Sequence, residues 1–326
     1  MPFLDLPLAE LRQYRPDVAE PADFDDFWAT TLAESRAVDA AVVSTRVDAG
    51  MSLVDTYDVS FPGFGGEPIK GWLNLPPGTA RGLIIEYNGY GGGRGLPHER
   101  LRWAAAGYAH FFMDVRGQGS AWGSGGETPD RGEMPAAVPG FMTRGILDPD
   151  LYYFRRLYTD AVRAVDALRS LDLVDPADVA LVGSSQGGGL AIAVSGLVPG
   201  ILATLPSVPF LCHFERAVGM AMTDPYAEIV RYLAVHRGHE TQAFRTLSYF
   251  DAVNFARRAT NPALFASALM DPVCPPSTVF AAANAWGGPM EMVEYPFNEH
   301  EGGGEHHWVV QERWLRTFFG DEHAGV

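Results

Sequence analysis

The stretch that most limits how this chain can fold runs from Val179 to Gly189. A short apolar, partly β-branched run, Val179-Ala180-Leu181-Val182, leads directly into Gly183-Ser184-Ser185-Gln186-Gly187. Small residues then continue through Gly188-Gly189-Leu190-Ala191-Ile192-Ala193. The pattern predicts strand, sharp turn and helix. At such a turn the central serine takes a strained backbone and its Oγ stands exposed above a sheet. Glycine is needed two residues before and two after, because side chains there would collide across the turn. That frame selects Ser185, which has Gly183 and Gly187 at those positions. Ser184 would need a glycine where Val182 stands. Glycine-rich turns also open nucleotide-binding helices, so the pentapeptide needs partners elsewhere in the chain.

Other strand-like runs recur at Gly82–Tyr87, Tyr108–Asp114, Ala263–Met270 and Met290–Tyr295. Several are apolar on consecutive residues, as expected of strands covered on both faces of a parallel sheet. A helix is predicted from about Asp150 to Ser170, where Tyr153, Leu157, Ala161, Ala164 and Leu168 repeat at three or four residues. Asp175-Pro176-Ala177-Asp178 reads as the turn into the serine strand. Alternating strands and helices imply a doubly wound, mostly parallel α/β sheet, with ligands beyond the carboxyl ends of its strands. The first forty residues read as a helical, acidic extension whose Phe24, Phe27 and Trp28 pack on the main body. Glu127 to Gly145 reads as an ordered loop or cap. Residues 206 to 250 read as a helical insertion with its own small core, in which Phe214, Met220, Met222, Tyr226 and Tyr232 stand out.

A serine hydroxyl needs a base to take its proton, and the base needs an acceptor to fix its tautomer. On a strand–turn–helix elbow the acid and then the histidine follow the serine in the chain. Asp271 directly follows an apolar strand, whereas its rival Asp251 lies in a helix-like context. His300 falls in a loop after the last predicted strand. His306 and His307 are rivals at the start of a final helix. Two donors must meet the oxyanion that forms on attack. The Gln186 backbone N–H is one, and the glycine-rich loop Asn88-Gly89-Tyr90-Gly91-Gly92-Gly93 supplies the other. A helical His-Glu-x-x-His zinc site would need histidine at position 304, which is glycine, so no metal is expected.

With 326 residues, 47% hydrophobic and 20% charged, the composition fits a globular enzyme. The net charge of −16 argues against nucleic-acid or anionic-membrane partners. Cys212 and Cys274 read as small core residues. The start Met1-Pro2-Phe3-Leu4-Asp5-Leu6 lacks a basic, then apolar leader, and no apolar run reaches membrane-spanning length, so a cytoplasmic location is expected.

Three separated blocks carry a family resemblance: Arg116-Gly117-Gln118-Gly119, Gly183-Ser184-Ser185-Gln186-Gly187 and His300-Glu301. Flanking blocks agree: Phe24-Asp25-Asp26-Phe27-Trp28, Gly140–Gly145, Tyr158–Arg163 and Cys274–Phe280. Together they resemble carbohydrate esterase family 7, the acetyl xylan esterases and cephalosporin C deacetylases, over nearly the whole chain. The resemblance implies an α/β-hydrolase fold in a single domain over residues 1–326, with 1–40 as the extension. It implies Ser185 as nucleophile, Asp271 and His300 as its partners, and Tyr90 and Gln186 as oxyanion donors through their backbone. It also implies a homohexameric ring whose internal cavity admits only small acetylated substrates, and no cofactor. Ala121 departs modestly from the pattern, where a small polar residue is common. Arg116 can bind a substrate anion or pin the serine loop by bonding to backbone carbonyls; neutral acetyl esters favour the second. Glu301 reads as a capping or inter-subunit residue.

Overall fold

The computed structural model describes residues 5–130, 134–175 and 177–319. Phe3 and Pro176 lie outside the described residues. Three antiparallel strands come first: β1 (Val43–Val47), β2 (Asp55–Pro62) and β3 (Pro68–Leu75). Six mutually parallel strands follow: β4 (Leu83–Tyr87), β5 (Ala109–Met113), β6 (Val179–Ser184), β7 (Ala203–Ser207), β8 (Ala263–Ala268) and β9 (Met290–Tyr295). They join one sheet in the order β1-β2-β3-β5-β4-β6-β7-β8-β9, with β3 antiparallel to β5.

The helices are α1 (Leu8–Leu11), α2 (Phe24–Arg36), α3 (Arg102–Ala105), α4 (Tyr153–Arg169), α5 (Gln186–Leu197) and α6 (Phe214–Met220). They continue with α7 (Tyr226–Val235), α8 (Glu240–Ser248), α9 (Ala252–Ala256), α10 (Pro276–Ala285) and α11 (Gly304–Arg316). The consecutive apolar runs split between two covers because successive strand residues face opposite sides. Leu83, Ile85 and Tyr87 join a large core with Leu157, Ala161 and Leu190 of α4 and α5. Ile84, Ala180 and Val182 join a second core with Trp103 of α3 and Leu315 of α11. The chain is thus the doubly wound sheet that its pattern implies, and its fold is that of the α/β hydrolases. Among the described residues, no helix is long and apolar enough to cross a membrane.

Four strands carry no clear sequence signal. β2 places Tyr57, Val59 and Phe61 on one face with polar residues between them, and buries Thr56, Val59 and Phe61 while Tyr57, Asp58 and Ser60 are half-exposed. β7, Ala-Thr-Leu-Pro-Ser, is buried throughout despite three residues that usually mark turns. In the extension, Phe24 and Trp28 are buried. Trp28 stacks on Tyr158 at 5.7 Å and donates Nε1–H to the Tyr249 carbonyl at 3.0 Å. Burying one such ring contributes roughly 1.5–3 kcal/mol.

One expectation changes. The insertion is helical, but its Phe214, Tyr226 and Ile229 belong to the main core rather than to a separate one. The segment 127–145 carries a 3₁₀ turn at Phe141–Thr143, which buries Phe141 and Met142 completely.

Candidate active site

Parallel register brings the carboxyl ends of β4, β6 and β8 to one edge, so the loops after them meet there. Ser185 opens α5 with φ 55° and ψ −120°, a region a side chain rarely occupies. The two framing glycines permit it. A Cβ on Gly183 would come 2.2 Å from the Gly187 backbone, and one on Gly187 would come 2.0 Å from the Tyr87 carbonyl oxygen. The Ser185 N–H donates to the Ser207 carbonyl at 3.0 Å, which anchors the turn to β7.

Asp271 lies three residues past β8 and its carboxylate is buried. Oδ1 accepts the N–H groups of Val273 and Cys274 at 2.8 and 2.9 Å. Oδ2 stands 2.8 Å from His300 Nδ1. A carboxylate only accepts, so Nδ1 carries the proton and the Nε2 lone pair is left free. His300 and Ser185 line one cavity of about 450 Å³, with Tyr90, Trp122, Pro139 and Pro225 on its walls. The structure therefore gathers the predicted serine, acid and histidine at one site. Glu301 braces the histidine loop: it accepts from Asn298 Nδ2 at 2.6 Å and from the Glu299 N–H at 3.0 Å. The Asn298 bond holds its carboxyl below the usual range.

The rivals are placed elsewhere. Asp251 caps α9 and accepts N–H bonds from His213, Phe214 and Val253; burial pushes it up to about 6. His307 is buried in α11 with Nδ1 3.0 Å from the Tyr295 hydroxyl, and burial pushes it down to about 4. His306 is exposed on the same helix. Among the described residues, possible metal-ligand atoms converge at Asp271, Cys274 and His300, within 4.8 Å of one another, and not at His300, Glu305, His306 and His307. Asp271 and His300 already satisfy each other there. Burial pushes the Cys274 thiol well up, which disfavours the thiolate that a metal needs.

The Gln186 N–H opens α5, where the helix offers it no acceptor. Its side chain joins an amide relay. Gln186 Nε2 donates to the Asn88 carbonyl at 3.2 Å. Gln118 Nε2 donates to Gln186 Oε1 at 2.9 Å, and Gln118 Oε1 accepts the Gly91 N–H at 2.6 Å. The relay ties the loop carrying Tyr90 to the serine helix. Tyr90 is clamped at both ends: its carbonyl accepts from Trp122 Nε1 at 2.8 Å, and its hydroxyl donates to Glu228 Oε1 at 2.8 Å. That hydroxyl also accepts the Phe141 N–H at 2.8 Å, while Glu228 Oε2 accepts the Met142 N–H at 3.1 Å. Glu228 escapes sequence reading, and Gln118, named as part of a motif near the site, is read there without its links to Gln186 and Gly91. Glu228 is one acid in an ordinary helical stretch, and its partners lie 138 and 86 residues away.

The expectation for Arg116 needs correcting. It is fully buried, and its guanidinium binds carboxylates rather than backbone carbonyls. It grips Asp160 with two nitrogens, one bond at 2.6 Å, and also bonds Glu67. Those charges hold it protonated, with its pKa raised against the burial that opposes charge. The neighbouring glycines fasten the same loop: Gly117 N–H donates to the Thr128 carbonyl at 2.8 Å and Gly119 N–H to the Gly91 carbonyl at 3.2 Å.

A serine elbow, a buried acid on Nδ1 of a cavity-lining histidine, and this sheet fit a serine hydrolase of the α/β-hydrolase fold. Comparison with known proteins narrows the class. The family model for acetyl xylan esterase matches residues 1–318, and the chain belongs to that family. It is 29% identical over 315 residues to acetyl esterase Axe7A of Xylanibacter ruminicola, covering 93% of this chain and 68% of that protein. The acetyl xylan esterase from Paenibacillus sp. R4 superposes with TM-score 0.88 at 40% identity, over 96% of this chain and 100% of that one. Acetyl xylan esterase 1 from Thermoanaerobacterium sp. JW/SL YS485 gives 0.87 at 31%, over 97% and 100%. The chain is a carboxylic ester hydrolase.

Proposed function

We propose that the chain removes acetyl groups from small acetylated carbohydrates, such as acetylated xylo-oligosaccharides, and from related acetyl esters such as cephalosporin C. The 2.8 Å contact from Asp271 to His300 Nδ1, beside Ser185 in one cavity, supports serine hydrolysis, and the match to the acetyl xylan esterase family carries the acetyl part of the reading. His300 Nε2 takes the Ser185 proton as Oγ bonds to the acetyl carbon. The oxyanion is met by the Tyr90 and Gln186 N–H groups. The ester C–O bond breaks, the alcohol leaves with the proton from His300, and Ser185 carries the acetyl group. His300 then deprotonates a water that attacks this acetyl-enzyme. Acetate departs, and Ser185 recovers its proton.

Tyr90, Pro225 and Val273 line the cavity that holds Ser185, and the family membership favours a short acyl group there. Efficiency is expected to fall steeply beyond about four acyl carbons, because overlap in a tight pocket is costly. A panel of p-nitrophenyl esters tests the reading: equal kcat/KM for acetyl and octanoyl esters would favour a longer-chain esterase. The family resemblance also supports a homohexamer. Light scattering decides that point, since a mass near 35.4 kDa would mean a single chain.

A further inference from the structure

Arg100 lies in the loop between β4 and α3. Its backbone carbonyl is held by Asn74 Nδ2 and faces His110 Nδ1, both at 3.1 Å. That fixes the root of the side chain. The guanidinium lies over the Phe112 ring at 4.4 Å, and its nearest carboxylate oxygen, Glu86 Oε1, is 3.6 Å away. Among the described residues the guanidinium makes no hydrogen bond, although 30% of the side chain is exposed. Its five N–H donors are held on an aromatic shelf without an acceptor in bonding range.

Glu86 is positioned as firmly. His110 Nε2 stands 3.0 Å from its Oε2. Burial works against its charge, but His110, Arg100 and Arg102 outweigh burial and hold the carboxyl below the usual range. Glu86 and Arg100 line the cavity that contains Ser185 and His300. They also line a second, polar cavity of about 310 Å³, whose other walls are Glu99, Arg102, His110 and Glu305. The two spaces therefore share one wall, and that wall presents a carboxylate ion-paired at 3.6 Å with a guanidinium whose N–H groups make no hydrogen bond among the described residues.

We propose that Arg100 and Glu86 form an alcohol-side subsite that binds neutral hydroxyl groups of the sugar residues next to the acetylated one, and that such residues run from the serine cavity toward Arg102 and Glu305. A hydroxyl donates to a carboxylate and accepts from a guanidinium, so adjacent hydroxyls of one sugar satisfy the pair together. The wall and the second cavity hold three carboxylates, two guanidiniums and the His110 imidazole, whose two nitrogens both face acceptors, so the opposing charges are close to balanced and uncharged hydroxyls suit the space. The proposal rests on the acetyl-carbohydrate reading above and extends it to the alcohol half of the substrate.

The test compares acetylated xylotriose, acetylated methyl xyloside, cephalosporin C and p-nitrophenyl acetate, on the wild type and on Arg100→Ala and Glu86→Gln. The readout is the ratio of kcat/KM for each substrate to that for p-nitrophenyl acetate. In Arg100→Ala the xylotriose ratio is expected to fall about tenfold, carried by KM, and the methyl xyloside ratio to fall less. An unchanged xylotriose ratio would overturn the proposal. So would a loss confined to cephalosporin C, whose alcohol bears a carboxylate. Unmodified xylotriose supplies a readout that needs no variant. It should inhibit wild-type hydrolysis of p-nitrophenyl acetate about tenfold more tightly than xylose, and equal inhibition contradicts the subsite. Failure of the wild type to hydrolyse any acetyl ester would instead remove the underlying reading.

Discussion

His300 and His307 stand seven residues apart, on the loop and the first turn of the last helix, yet the structure gives them opposite surroundings. His300 is partly exposed, holds Asp271 on Nδ1 and opens on the cavity with Ser185. His307 is buried, faces only the Tyr295 hydroxyl, and its Nε2 has no partner among the described residues. Its surroundings disfavour a charge, so it is poorly suited to holding a proton in flight. The lesson is that an imidazole becomes a base through what fixes its far nitrogen and through the space its near nitrogen faces. Asp271 and Asp251 repeat the contrast. Both are buried and both accept backbone N–H bonds, but only Asp271 also meets a histidine.

The sharpest break in the comparison is His300→Ala. It should lower kcat by roughly three decades or more while the fold is retained, as measured by p-nitrophenyl acetate turnover beside circular dichroism. Comparable loss from His306→Ala or His307→Gln would reverse the assignment. Asp271→Asn should cost somewhat less, about two to three decades in kcat, because the imidazole loses the partner that sets its tautomer. Its counterpart Asp251→Asn should leave kcat within about twofold and lower stability by about 1–3 kcal/mol in urea denaturation, through a weakened cap. If Asp251→Asn were the one that abolished turnover, the two acids would have to exchange roles.

Next comes Glu228→Gln, which weakens the grip on the Tyr90 loop from the far side. We expect about a tenfold fall in kcat with little change in KM, since a donor that meets only the oxyanion acts mainly in the transition state. A change confined to KM would place Glu228 in substrate binding instead. The smallest effect on activity belongs to His307→Gln, with kcat within about twofold of wild type. Its signature is in stability. His307 titrates near 4 in the folded chain against 6.5 without burial, so the unfolded chain takes the proton first as the pH falls. Wild-type stability should therefore drop between about pH 6.5 and 4, by about 3 kcal/mol from this group, and the variant should lack that part of the drop. A parallel pH dependence in the two proteins would show that His307 is not held neutral.

The parallel strands β4, β5, β6 and β8 were legible because each is sequestered from water on both sides, which writes an unbroken apolar run such as Leu83-Ile84-Ile85, whereas β7 is as well covered but spells Ala-Thr-Leu-Pro-Ser. The serine elbow was legible because two close backbone approaches demand Gly183 and Gly187. The antiparallel strands were not, since β2 needs apolar residues only on alternate positions and its polar ones dilute the signal. Around the site, chain order singled out Asp271 and His300, but nothing local marks Glu228 or the carboxylates that hold Arg116. Those contacts join residues 44 to 138 positions apart, and only the folded chain brings them together.

The most direct test of the central claim is covalent capture of the serine by an organophosphate, read by peptide mass spectrometry with the rate of labelling in each variant. The account predicts a single adduct on Ser185. Labelling should slow by orders of magnitude in His300→Ala, slow in Asp271→Asn, and proceed at the wild-type rate in His307→Gln. An adduct on another residue, or labelling that persists in His300→Ala and fails in His307→Gln, would contradict it.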